Sequence, residues 1–193
     1  MKKLESTFIN MLLSLTLVAL AASISLAYMN ELTKGPKEEA RKLKKLNAIK
    51  SVLPDITNDP FTEKVSFGLE GEKDSLDFFP GKKGEEMQGM AISTYTNKGY
   101  SGLIRLMVGF DMEGAINNIA VLEQKETPGL GTKITSESFV SQYLGKNPGK
   151  FNMTVTKDGG EIDAITGATI TTRAFNHAVQ RAYDRFMEEK DNF

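Results

Sequence analysis

Thr166, Thr169, Thr171 and Thr172 crowd one stretch of the chain, Asp163-Ala164-Ile165-Thr166-Gly167-Ala168-Thr169-Ile170-Thr171-Thr172. A threonine hydroxyl can hydrogen-bond a phosphate or be esterified by one. Gly167 and Ala168 add little bulk and let a ligand come close to the backbone. After the threonines, small and apolar residues fall in pairs, Ala174 and Phe175, Ala178 and Val179, Ala182 and Tyr183, Phe186 and Met187. That recurrence belongs to an amphipathic helix. The hydroxyls therefore stand at a helix N-terminus, where the first N–H groups lack partners and the dipole is positive, a setting that holds a phosphate. A structural reading competes with this one, since threonine is an ordinary N-cap and a Thr/Gly/Ala-rich helix start is more often only capping.

A resemblance bears on that choice. Asp163, Thr166, Gly167, Ala168 and Thr169 form Asp-x-x-[Ser/Thr]-Gly-Ala-Thr. This pattern resembles the flavinylation motif of the FMN-binding family found in the G subunit of Rnf-type electron transport complexes and in the C subunit of the sodium-pumping NADH:quinone reductase. Many members have serine where Thr166 stands. Glu126-Thr127-Pro128-Gly129-Leu130-Gly131 resembles a loop of the same family that lies against the flavin ring. The two matches come in the family's order, and with the N-terminal apolar segment the resemblance covers nearly the whole chain.

The resemblance implies FMN held covalently by a phosphoester to Thr169, attached by a dedicated flavin transferase that uses FAD. It implies that Asp163, Thr166, Gly167 and Ala168, the rest of the motif, belong to the cofactor site, and that Glu126, Thr127, Gly129, Leu130 and Gly131 line the isoalloxazine, with Glu126 a candidate for proton uptake or tuning of the potential. Lys133 follows that loop, and a solvated surface lysine is the expectation there. Gly99-Tyr100-Ser101-Gly102 is similar to a glycine–tyrosine element of the family; the expectation here is a tight turn with a packed tyrosine, with direct flavin contact as the alternative.

The 193 residues leave room, after a membrane segment, for one domain of ordinary size. The 24 Lys+Arg balance 25 Asp+Glu, so nothing points to nucleic acid as a partner. The chain has no cysteine, which excludes disulfides and argues against iron–sulfur ligation, and its single His177 leaves few options for a metal site. An electron carrier needs neither, because the redox chemistry of a flavin belongs to the cofactor while the protein supplies position and electrostatics.

From Ser6 to Asn30 no residue is charged, long enough to cross a bilayer as a helix. Lys2 and Lys3 precede it, and Ser25-Leu26-Ala27 would serve as a signal-peptide cleavage site, but the apolar stretch is longer than a signal peptide's usual roughly 7–15 residues. An uncleaved anchor is expected. Lys34, Lys37, Arg41, Lys42, Lys44 and Lys45 outnumber Lys2 and Lys3, which read by the positive-inside rule places the rest of the chain in the cytoplasm. The family resemblance implies the opposite side, and the expectation follows it.

Gly35-Pro36 is expected to open a second helix, closed by Pro54, with Leu43, Leu46, Ile49 and Leu53 on one face and basic residues around it. That face packs on the domain or a neighbouring subunit, or the basic surface meets anionic headgroups. The segments 64–69, 76–79, 88–95, 103–110, 116–122 and 151–156 read as strands, with a turn at Asp111-Met112-Glu113-Gly114, and 136–144 as a short helix. The fold class expected is α+β, a mainly antiparallel sheet with flanking helices, preceded by one transmembrane helix. The expected organisation is a short tail over 1–7, an anchor over 8–29, a juxtamembrane helix or linker over 30–54 and an FMN-binding domain over 55–193.

The function expected from the resemblance is a membrane-anchored electron-transfer subunit of a complex that couples ferredoxin:NAD electron transfer to ion translocation. It would be one station in a larger oxidoreductase rather than a stand-alone enzyme, with the other membrane and redox subunits as partners. Two alternatives stand beside it: a pilin-like structural subunit, and an anchored domain that holds FMN or another phosphate ligand without electron transfer. Against the first, no glutamate lies in the early apolar run near Phe8.

Overall fold

The computed structural model describes residues 7–53, 55–68 and 74–193. Lys2, Lys3, Pro54 as a helix stop and Leu69 as a strand end lie outside the described residues. The chain forms two units, Met1–Leu43 and Lys44–Phe193.

Helix α1 runs over Phe8–Val52 and passes through Pro36 without restarting there. A proline inside a helix forfeits one backbone hydrogen bond, but Lys, Glu, Ala and Arg follow it and favour the helix. The first part of α1 is long and apolar enough to cross a membrane, and none of that window is buried in the protein. Thr16, Ser23 and Ser25 there return their hydroxyls to the carbonyls of Leu12, Ala19 and Ala21, so these side-chain donors are satisfied in apolar surroundings.

The unit from Lys44 onward is built on five antiparallel strands in the order β1 (Val65–Gly68), β2 (Ser75–Lys83), β3 (Glu86–Gly99), β4 (Gly102–Phe110) and β5 (Ile116–Glu123). Strand alternation sorts side chains to two faces. In β4, Ile104, Leu106, Val108 and Phe110 turn to one face and Met107 to the other. The first face meets α3 (Thr169–Glu189) and α2 (Glu137–Val140), closing a core around Phe110, Phe139, Tyr143, Phe175 and Phe186. The other face is covered by Ala48, Ile49, Val52 and Leu53, which pack on Phe79, Ala91 and Met107. Gly109 allows this approach, because a Cβ there would run into the Val52 backbone. The α+β class expected from the sequence is therefore what forms.

Two local readings are corrected. The segment 151–156 makes no ladder strand. It holds one isolated parallel bridge, Val155 to Ile162, and a 3-10 turn over Thr156–Asp158. Asn152 Oδ1 accepts from both the amide and the hydroxyl of Thr154, a side-chain bond that competes with strand pairing. The expected helix over 136–144 shortens to the single turn of α2, and irregular turns complete it.

Candidate functional site

Both stretches singled out in the sequence fold into turns that glycine permits. The Leu130 amide donates to the Thr127 carbonyl at 3.2 Å, with Pro128 and then Gly129 at φ 76° between them. The Ala168 amide donates to the Ile165 carbonyl at 2.8 Å, with Gly167 at φ 78° in the equivalent place. These are type II turns, whose third position demands positive φ. The turns meet, since a Cβ on Gly167 would lie 3.1 Å from Leu130 Cδ2.

A third segment joins them. The two-residue turn Tyr100-Ser101 links β3 to β4. The three are tied by Glu126, only 4% exposed. Its Oε1 accepts from the Ser101 amide at 2.9 Å and its Oε2 from the Thr171 hydroxyl at 2.6 Å. Gly131 and Gly99 leave room for it, because a Cβ at either would come within 2.7 Å of that side chain. A buried carboxylate is tolerated when donors replace its water. Glu126 thus spends both oxygens on hinging the cleft together, a role its place in the loop did not reveal.

Between these segments opens a cleft of about 560 Å³, within the usual range for small-molecule and cofactor sites. Of the residues expected at a flavin site, Glu126, Thr127, Leu130, Gly131, Gly167, Ala168 and Thr169 line it, while Asp163, Thr166 and Gly129 do not. Asp163 is exposed, and its backbone is gripped by Gln142, whose Oε1 accepts from the Asp163 amide at 2.7 Å. Lys133 lies outside the lining, on the exposed surface. Tyr100 makes the expected turn but is not packed. It is 69% exposed and lines the cleft, as do the exposed Ile170 and Lys157. Nothing in the sequence singled out Lys157 or Gln142; each reaches the site through the fold.

The hydroxyls now separate. Helix α3 starts at Thr169, and its N-cap is Ala168, with no side-chain cap. The capping reading of the threonines is therefore not what forms. Thr171 is committed to Glu126. Thr172 donates to the Ala168 carbonyl at 3.1 Å and accepts from the Ile165 amide at 3.2 Å. Among the described residues, the hydroxyls of Thr166 and Thr169 have no hydrogen-bond partner within the chain, and Thr169 is the one of the two that lines the cleft. An uncapped helix start, unspent amides and a free hydroxyl suit a phosphoryl group. The exposed faces of Tyr100 and Leu130 suit a flat apolar ring. Among the described residues no group of His, Cys, Asp or Glu could hold a metal ion.

Comparison with known proteins identifies the family. The FMN-binding domain family matches residues 99–184. The chain is 34% identical over 190 residues to the G subunit of the ion-translocating oxidoreductase complex of Aliivibrio fischeri, covering 92% of this chain and 90% of that one. It is 33% identical over 178 residues to the G subunit of the Na(+)-translocating ferredoxin:NAD(+) oxidoreductase complex of Acetobacterium woodii, covering 86% of each. The fold is shared with the crystal structure of the C subunit of the Na(+)-translocating NADH-quinone reductase from Parabacteroides distasonis, at a TM-score of 0.54 and 16% identity, over 78% of this chain and 94% of that one. These matches set the pilin-like alternative aside. With relatives of that identity along nearly its whole length, a matched FMN-binding domain and one candidate transmembrane helix, the chain belongs to the G-subunit family of Rnf-type ion-translocating oxidoreductase complexes.

Proposed function

We propose that this chain is a membrane-anchored electron-transfer subunit that carries FMN as a phosphoester of Thr169, within a complex coupling ferredoxin:NAD electron transfer to ion translocation. The observation that carries the assignment is the contrast among hydroxyls on one helix start. Thr171 and Thr172 are spent within the fold, whereas Thr169 lines the cleft and its hydroxyl has no partner among the described residues. In the attachment step the Thr169 oxygen bonds to the flavin-side phosphorus of FAD, the pyrophosphate P–O bond breaks, AMP leaves and the hydroxyl proton passes to solvent. A flavin transferase is the partner for that step.

Bound FMN supplies the electron acceptance and donation. The protein's part is placement. The α3 N-terminus offsets the phosphodiester charge, Tyr100 and Leu130 cover the ring, and Glu126 holds the three segments in register. Thr166, outside the lining, is part of the turn that presents Gly167, Ala168 and Thr169, and Asp163, held by Gln142, precedes it. The anchor in α1 keeps the flavin beside the other subunits, and the FMN domain faces the extracytoplasmic side of the inner membrane. A tether also keeps the local flavin concentration high.

The test is expression with and without a flavin transferase, followed by a denaturing gel under ultraviolet light. Fluorescence is expected to stay with the chain, vanish in Thr169→Ala and persist in Thr172→Ala. A band that stays dark with the transferase present, or one that survives Thr169→Ala, overturns the assignment. FMN that binds but leaves on denaturation would favour the non-covalent binding domain.

A further inference from the structure

We propose that Lys157 is the counter-charge of the phosphoryl group at Thr169, and that the Asp158–Arg173 ion pair is the latch that positions it. This rests on the assignment of Thr169 above. The cleft lining carries two charged side chains, Glu126 and Lys157. Both oxygens of Glu126 are occupied by donors. Lys157 is therefore the cation available to an anion bound there, and among the described residues no carboxylate pairs with it. Helix N-terminal amides hold a phosphate by its oxygens but carry only partial charge; a lysine adds a full one.

The fold fixes where that lysine starts. Lys157 is the middle residue of the turn Thr156–Asp158, closed by Gly159 at φ 83°. The Asp158 amide donates to the Val155 carbonyl at 2.8 Å, the Gly160 amide to the same carbonyl at 3.1 Å, and the Thr156 amide to the Ile162 carbonyl at 2.9 Å. The next side chain, Asp158, then takes Arg173 Nε at 2.7 Å and a terminal nitrogen at 2.9 Å. Arg173 sits one helical turn beyond Thr169 on α3. The planar two-point geometry resists rotation better than a single contact. The turn that bears Lys157 is thus fastened to the helix whose first residue bears the hydroxyl. An exposed ion pair of ordinary worth explains little stability; its use here is to fix a neighbour.

The experiment uses the full chain, a flavin transferase and FAD. The rate of covalent labelling is read at low and high ionic strength, and the phosphorus NMR signal is read on the loaded protein. At low salt Lys157→Met is expected to label about threefold more slowly, as an exposed charge pair implies, and Lys157→Arg at nearly the wild-type rate. Asp158→Asn, which leaves the lysine in place but frees its turn, is expected to fall between. The differences close at high salt, where exposed charges are screened. The phosphorus signal shifts in Lys157→Met and Asp158→Asn but not in the control Lys133→Met. An unchanged rate in Lys157→Met overturns the inference, and so does a slower rate with an unchanged phosphorus signal, because the lysine would then serve only the encounter with the transferase. Failure of the Thr169 assignment shows separately, as labelling that survives Thr169→Ala.

Discussion

The two faces of the sheet are covered by helices of unequal reach. On one, the 21 residues of α3 lie across the strands with Phe175 and Phe186 wholly buried, joined by Phe139 and Tyr143 from the α2 region. The rings interlock, Phe175 lying 5.2 Å from Phe139 and 5.1 Å from Tyr143 between centroids. Thr94 adds a polar tie, donating to the Ala178 carbonyl at 3.0 Å. On the other face, the last turns of α1 and the residue after it touch the strands, through Ala48, Ile49, Val52 and Leu53. Polar contacts supplement that smaller core. Lys44 donates to the Leu122 carbonyl, and Asp77 receives Lys45 at 3.2 Å and Lys64 at 3.0 Å. The difference teaches how the two tasks are divided. The helix that begins at Thr169 is held by a large apolar face, which supports its first turn from beneath. The helix that carries the anchor is held by a small face and a few charges.

The sharpest way to break this comparison is Phe175→Ala. It opens a cavity under α3 and is expected to cost about 3–5 kcal/mol, read from urea denaturation, with flavin loading at Thr169 falling as the helix start loses its support. Ile49→Ala on the opposite face is expected to cost about 2–3 kcal/mol yet leave loading unchanged. Equal loss of loading in the two variants would mean that the faces are not separable. The smallest effect is at Asp77. Burial alone would raise its pKa, but hydrogen bonds from Lys64 and Ser66 and the charge of Lys45 outweigh that and hold the carboxyl below its ordinary range. A carboxyl depressed on folding stabilises the fold above its unfolded pKa, and that contribution is lost as pH falls through the folded value. Asp77→Asn is therefore expected to lose about 1 kcal/mol or less at neutral pH and to flatten the acid limb of a stability–pH curve. An unchanged acid limb would show that the charges do not help hold α1.

Much of the fold was legible because its signals are local. The uncharged run from Ser6 to Asn30 needs only composition to be read. Strands β2 to β5 show as short runs rich in Val, Phe, Ile and Tyr between Gly, Pro and Asp/Asn breaks, and the paired apolar residues of α3 show in period. The Asn152 segment misled because Met153 and Val155 are buried as in a strand while the asparagine side chain closes the backbone on itself. Pro36 misled because a proline reads as a helix start when nothing beyond its neighbours is considered. Tyr100 misled because an aromatic residue beside glycines suggests packing, whereas the hairpin turns its ring out to the cleft.

The sequence alone determined the apolar anchor and the strand-then-helix order, since each follows from steric and solvation preferences of neighbouring residues. Which threonine lines the cleft with its hydroxyl unpartnered was decided by tertiary structure. Thr171 is spent only because Glu126, 45 positions earlier, is folded against it. Glu126 reaches it only because the β3–β4 turn supplies a second donor that makes a buried carboxylate tolerable. Likewise a lysine becomes a candidate for a phosphate only when the bond between Asp158 and Arg173 sets its turn beside α3. Hydrogen-bond partners are chosen in space, and residue spacing along the chain does not encode them.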